Sequence, residues 1–280
     1  MRRSSATKDV WRKIRRDRGA MIGLVLILLV VAMAAFAPLA QHGPTDRAGI
    51  REAPSGAHWL GTDQSGYDVF SRLLYGARVS LLTGVAAVVL ALLIGVPLGA
   101  ISGYAGGWLD NVLMRITDVM LAFPSVVLAI AIATLFDVRA VGPVIVAVGV
   151  VAIPQVARQV RGSVLQVKNH EFVVAARSMG YGPGRILLRH VLPNCLAPII
   201  VLSTLGVGHA ILSAAGLNFL GLGPEARVAE WGVMLKDAYP FVRSPYQWIV
   251  IPPGLAIAIT VLGFNLLGDG LRRALDPRQA

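Results

Sequence analysis

With Asp, Glu, Lys and Arg as markers, the chain divides into long charge-free stretches at 19–45, 79–109, 119–136, 140–157, 190–224 and 244–268. A helix needs about 20 mostly apolar residues to cross a hydrocarbon core of about 30 Å. The pattern therefore predicts six transmembrane helices, near 21–41, 80–102, 113–136, 140–162, 196–220 and 247–268. The fourth is expected to continue past the membrane as a helix through Gln155, Arg158 and Arg161. Prolines and glycines punctuate the spans, among them Gly95, Pro97 and Gly99 in the second, Pro124 in the third and Pro252-Pro253 in the sixth. Gly95-x-x-x-Gly99 permits close helix contact and is as common in ordinary packing as in a specific partnership. The rival for the first run is a cleaved signal peptide, whose apolar core would be shorter, about 7–15 residues. The best small-x-small site, Ala35-Phe36-Ala37, is followed by Pro38, so an uncleaved helix is expected.

One polar island stands between the apolar runs: Glu171–Asn194, EFVVAARSMGYGPGRILLRHVLPN. It reads as a short helix, a glycine turn, a second short helix and a proline stop. Phe172, Ala175, Ala176 and Met179 follow i, i+3, i+4, i+7 spacing and put an apolar stripe on the first helix. Asn169 is the expected N-cap, and Gly180 sits where a left-handed C-terminal residue belongs. Gly182-Pro183 turns the chain, and Pro183 opens the second helix, where a first-turn proline loses no needed donor. On its own this segment reads more readily as a solvated amphipathic loop than as a docking element; the chain around it favours the second.

Composition agrees with the apolar pattern. The chain has 280 residues, 55% hydrophobic and 15% charged, with mean hydropathy +0.67; soluble domains carry about a quarter charged residues. The net charge of +11 does not point to nucleic acid, because the basic residues flank apolar spans and are not interleaved with aromatics on one face. Six spans put both termini on one side, and 18 of the 26 Lys/Arg then fall on that side. The positive-inside rule places both termini and the island in the cytoplasm. The segments 42–79 and 221–246 face outward, and neither is long enough for a core of its own. Lone Cys195 permits no intrachain disulfide and reads as a small apolar residue at a helix start.

Absences narrow the function. None of the four lysines follows a glycine, so the chain has no P-loop for a nucleotide. The histidines at 42, 58, 170, 190 and 209 show no metal-ligand spacing. His209, deep in the fifth span, is expected to be packed and hydrogen-bonded. Ion-coupled transporters usually carry intramembrane acids or bases; Asp118, with Arg115 three residues before it, is expected to form a structural pair at a span edge. An intramembrane hydrolase would need a nucleophile and base paired within the bilayer, and no such pair is visible. A six-span chain without its own energy source suggests a pore subunit driven by a partner.

The island resembles the signature loop of ABC importer permeases: Glu-Ala-Ala, three residues, Gly, nine residues, Ile-x-Leu-Pro. Ala175-Ala176, Gly180 and Leu192-Pro193 fall on that pattern with the spacing intact, while Val174 replaces the Glu and His190 the Ile. Other strings are similar to the second, C-type permease of the dipeptide/oligopeptide/nickel branch. They are HWLGTD at 58–63, GYDVFSR at 66–72, YGARVSL at 75–81, DVMLAFP at 118–124, NFLGLG at 218–223, EWGVML at 230–235 and FNLLGDGLRRALDPR at 264–278. Ala214 stands where many relatives carry a glutamate.

The resemblance implies a type I ABC importer permease fold in a bacterial or archaeal cell (inner) membrane. It divides the chain into a cytoplasmic tail and first helix (1–41), an extracytoplasmic segment (42–79), a five-helix core (80–268) containing a coupling loop at 163–195, and a cytoplasmic tail (269–280). It implies pairing with a homologous permease, two cytoplasmic ATPase subunits that hold ATP and Mg, and an external solute-binding protein. No cofactor is expected on this chain, and no catalysis. The expected solute is a di- or oligopeptide, with nickel or another small compound as the alternative. In that family the loop is a coupling helix docked in the ATPase. The residues assigned to it are Glu171, Phe172, Ala175, Ala176, Met179, Gly180, Arg185, Leu192 and Pro193. Arg185 and Arg189 would complement the partner's charge or meet lipid headgroups. With Val174 in place of the glutamate, coupling is expected to rest on shape at Gly180 and on the small-residue stripe.

Overall fold

A computed structural model describes residues 3–136 and 138–275, with side chains from residue 10 onward. The end of the expected C-terminal tail, 276–280, and with it the last residues of the C-terminal motif, lies outside them. Among the described residues the structure is helical, with only two isolated bridges, Arg47–Tyr67 and Thr62–Asp68, in the segment that precedes the second long helix.

The helices are α1 (Arg3–Arg16), α2 (Arg18–Phe36), α3 (Val69–Ala105), α4 (Gly107–Ala122), α5 (Ser125–Ala133), α6 (Val141–Val167), α7 (Glu171–Ser178), α8 (Pro183–Ile186), α9 (Leu196–Phe219), α10 (Trp231–Ala238) and α11 (Gln247–Leu275). Arg18–Leu39, Val69–Ala105, Val141–Val167, Pro183–Phe219 and Gln247–Leu275 are long and apolar enough to cross a membrane, and α4 and α5 reach that length and apolarity only when the bent pair is taken together.

Three features depart from the pattern-based expectation. The third span is not one helix: α4 and α5 meet at 93°. Phe123 is extended at the break, as the ring of Pro124 disfavours helical backbone in the residue before it. The helix of the second span, α3, begins at Val69, capped by the Asp68 side chain accepting from the Ser71 amide, so GYDVFSR lies at its start. Finally, Pro193 does not stop the chain. A π-helical turn, Leu187–Val191, and a 3₁₀ turn, Leu192–Cys195, carry the helix through it into α9. In the widened turn the Leu192 amide donates to the Leu187 carbonyl, five residues back, just before the proline that lacks an N–H.

The core sits where α3, α6 and α9 cross, in a cluster including Ala87, Val88, Val144, Ala147, Val207, Ile211 and Leu217. Ala214, the expected glutamate position, is buried in it. Packing of α3 on α6 rests on absent side chains. A Cβ at Gly95 would stand 2.7 Å from Val156 Cβ and 3.0 Å from the Ile153 carbonyl; at Gly99 it would strike the Ala157 carbonyl; at Gly103 it would meet the Arg161 carbonyl at 2.9 Å. The Gly95-x-x-x-Gly99 pair is thus two steps of a three-step backbone seam. Close approach of this kind supplies the dispersion contacts that hold helices together where lipid offers no hydrophobic drive. Gly23 of α2 plays the same part against Gly263 and Leu267 of α11.

Candidate functional site

The loop between α6 and α9 is built from two faces. Val173 and Ala176 of α7, Ile186 of α8, Val191 and Cys195 are buried against Val160 and Val164 of α6. That inner face anchors the loop to the stem of α6. Facing outward are Glu171, Phe172, Val174, Ala175, Ser178, Met179 and Gly180, with Phe172 44% and Met179 64% exposed. The expected stripe is therefore split: Ala176 turns inward, while Phe172, Ala175 and Met179 stay exposed. The reason is the helical angle, since Ala176 lies one turn from Val173 and shares its buried side.

Gly180 ends α7. Its φ is +79°; its amide donates to the Arg177 carbonyl, and the Tyr181 amide donates to the Ala176 carbonyl. This is a complete Schellman stop, which a left-handed glycine allows without the Cβ penalty. Nothing lies within 4 Å of a Cβ built there, so the turn presents open space. The N-terminal cap differs from expectation. His170 occupies that position without a side-chain bond, and Asn169 instead turns back to the Leu165 carbonyl at 3.4 Å. Pro183 opens α8. The Arg185 guanidinium lies over the Tyr181 ring at 4.5 Å, and His190 stacks on the same ring at 5.7 Å. Leu192 is half-buried and Pro193 exposed.

A charged brace beside the loop was not legible in the sequence. Arg161 of α6 holds Asp110 of α4 in a two-point grip at 2.6 and 2.7 Å. Ser102 of α3 donates to the same carboxylate, and Lys168 donates to the Gly103 carbonyl at 2.7 Å. Asp118 pairs with Arg158 of α6 at 2.5 Å and not with Arg115 as expected; Arg158 approaches from the facing helix, while three residues along one exposed helix impose no contact. These bonds tie the α3–α4 junction to the stem that enters the loop. At the same end, Arg273 of α11 binds Asp17, the N-cap of α2, at 2.6 Å and holds its carboxyl below the usual range.

Helix α9 also corrects an expectation. His209 is exposed on α9, together with Leu212, Ser213 and Gly216; it makes no hydrogen bond among the described residues. The buried side of α9 is Val207, Ala210, Ile211 and Ala214, which leaves His209 opposite.

The far end of the bundle is a cap in which α10 is locked by buried polar groups. Glu230, 2% exposed, accepts from Ser80 of α3 at 2.8 Å and from the Val233 amide at 2.9 Å. Burial pushes its carboxyl above its ordinary value. Trp231 is fully buried and donates from Nε1 to the Leu73 carbonyl at 3.0 Å; a Cβ on Gly76 would meet its ring at 2.7 Å. Arg72 is buried over Tyr67 at 4.7 Å, donating to the Ala226 carbonyl at 2.6 Å.

Residues 95–280 match the family described as the inner membrane component of binding-protein-dependent transport systems. The chain belongs to that permease family. Residues 5–54 match the N-terminal transmembrane domain of oligopeptide transport permease C. The permease is 45% identical to the dipeptide transport system permease protein DppC of Alkalihalophilus pseudofirmus, over 98% of this chain and 90% of that one. It is 43% identical to the glutathione transport system permease protein GsiD of Pectobacterium atrosepticum, over 97% and 91%. With the oligopeptide transport system permease protein OppC of Bacillus subtilis it shares 42%, over 98% and 90%. Its fold matches a chain of the MetNI methionine ABC transporter in an inward-facing conformation, with TM-score 0.60 and 20% identity over 73% of this chain and 96% of that one. The permease is therefore a multi-pass inner-membrane protein with the ABC importer permease fold.

Proposed function

We propose that this permease forms half of the translocation path of a short-peptide importer and takes its motion from separate ATPase subunits through the loop around Gly180. The observation that carries the coupling reading is the exposed apolar stripe Phe172, Ala175 and Met179 beside the open Gly180 turn. The loop lies beyond the end of α6, where apolar side chains meet water unless a partner covers them. Its inner face is already buried in this chain, so the outer stripe is left for another surface, and a short helix with small residues at its centre suits a groove. Arg185, held on Tyr181, adds positive charge at the rim. The charge distribution supports placing this loop and both termini in the cytoplasm. ATP and Mg would then bind the ATPase subunits, because this chain carries no phosphate-binding motif.

The path itself follows from α9. His209 and Ser213 are polar groups in mid-span on the outer side of the helix, and exposing them to lipid is costly. They favour a wet path or the facing surface of a second permease. Short peptides are the chemistry common to the names of the three relatives, and no residue set in the spans favours a metal solute.

The test is reconstitution in lipid nanodiscs with the second permease and the ATPase subunits. ATP hydrolysis should rise on adding binding protein loaded with peptide. The chain alone in proteoliposomes should move no solute down or against an ion gradient. Ion-driven uptake by the lone chain would overturn the reading.

A further inference from the structure

We propose that His42, His58 and Asp68 form a binding site for a divalent transition cation of the zinc type, on the cap at the end of the bundle opposite the coupling loop. In sequence these residues are far apart and show no ligand spacing. The cap brings them together: each offers one ligand atom, and all three atoms lie within 4.8 Å of one another. This departs from the expectation that the chain carries no metal, because the spacing rule describes ligands on one helix or one knuckle and these sit on a folded loop and a helix cap.

The chemistry of each donor fits. His58 and Asp68 are buried, with His58 Nδ1 2.8 Å from Asp68 Oδ2. Ligand atoms around a tetrahedral zinc stand about 3.3 Å apart for bonds of about 2.0 Å. His58 Nδ1 now donates its proton to Asp68, so a cation would displace that proton, open this pair by about half an ångström and draw in the atoms that stand up to 4.8 Å apart. The other carboxylate oxygen, Oδ1, accepts from the Ser71 amide at 2.7 Å, which fixes Oδ2 toward the ring. His42 stacks on His58 with centroids 4.6 Å apart. Its Nε2 lies 2.9 Å from the Ala57 carbonyl. A carbonyl only accepts, so Nε2 carries the proton and the neutral ring keeps its lone pair on Nδ1. With a cation on His58 Nδ1, the ring proton resides on Nε2, which faces the Glu52 carboxylate at 4.0 Å. A ligating histidine backed by a carboxylate is the usual outer support of such sites.

The surrounding loop is built to hold the geometry. The Glu52 amide donates to Thr62 Oγ1 at 2.8 Å, and that hydroxyl donates to the Gly49 carbonyl at 2.5 Å. The Ser55 amide donates to the His58 carbonyl, and the His58 amide donates to Ser55 Oγ. Two imidazoles and a carboxylate select zinc, cobalt or nickel over calcium and magnesium, which take oxygen ligands. A bound cation would pin the loop carrying His42 and His58 to the first turn of α3.

The experiment is titration of the purified full chain with Co(II), read by visible ligand-field absorption, followed by displacement with Zn(II). The decisive variant is His42→Phe, which keeps an aromatic ring against His58 and removes the nitrogen. A second variant, Asp68→Asn, keeps a good N-cap for α3 and removes the carboxylate charge. Both should unfold at the wild-type temperature without metal. The wild type should take up one Co(II) more than either variant, lose the band to Zn(II) but not to Ca(II), and gain thermal stability with Zn(II). Loss of an outer support alone weakens such sites by about 10–100-fold, so removal of a ligand should cost at least about 100-fold. Equal binding by wild type and His42→Phe, or no ligand-field band in either, would overturn the proposal.

Discussion

Gly180 separates what the loop costs this chain from what it offers a partner. Its φ of +79° makes any L-side chain cost about 1–2 kcal/mol of backbone strain, or about 5–30-fold in the population of the native turn. No steric cost adds to this, since a Cβ there has nothing within 4 Å. Gly180→Ala and Gly180→Trp therefore share the same internal penalty and differ only in what projects into the open space. Gly180→Asn lowers the penalty, because Asn tolerates the left-handed region. The assay is ATP hydrolysis by the reconstituted complex, stimulated by loaded binding protein, alongside the thermal unfolding of each variant. The Asn variant should stay close to wild type, and the Ala variant should lose no more than about 30-fold. The Trp variant should insert and unfold like Ala yet show no stimulation. If Trp couples as well as Ala, the space beside Gly180 is not a docking surface and the assignment is wrong.

Other outcomes follow from the packing and the charges. Gly99→Ala should destabilise the fold by about 1–3 kcal/mol through overpacking on Ala157 and Val160, whereas Gly162→Ala, whose Cβ meets nothing in the same helix pair, should stabilise by about 0.5–1 kcal/mol; detergent melting curves decide both. Asp110→Ala should cost about 1–3 kcal/mol by leaving the Arg161 fork unpaired, while Asp118→Ala, in a pair exposed on both sides, should cost under about 1 kcal/mol; equal losses would refute the brace. Glu230 has its folded pKa raised by burial, so the folded state holds more protons than the unfolded one and stability falls as pH rises from the ordinary carboxyl range through the folded value. Glu230→Gln should therefore be increasingly more stable than wild type as pH rises, with the gap closing in acid; a gap that does not vary with pH would sink that account.

The existence of the spans and the design of the loop's glycine turn are legible in the chain because both are local requirements. A bilayer demands a run of apolar residues of fixed length, and the Schellman stop needs only a glycine at the right offset from Ala176 and Arg177. The facing of those spans is not legible. Helices apolar all round carry no stripe to tell a buried side from a lipid side, which is why His209 was expected inside and lies outside, and why Ala176 left the stripe it was counted in. The 93° break at Pro124 and the passage of the chain through Pro193 depend on whether neighbouring turns absorb a missing donor, a matter of tertiary packing. The pairs Asp110–Arg161 and Asp118–Arg158, and the meeting of His42, His58 and Asp68, join residues that no periodicity links. Only the approach of α6 to α4, and the folding of the cap onto α3, brings those groups within bonding distance.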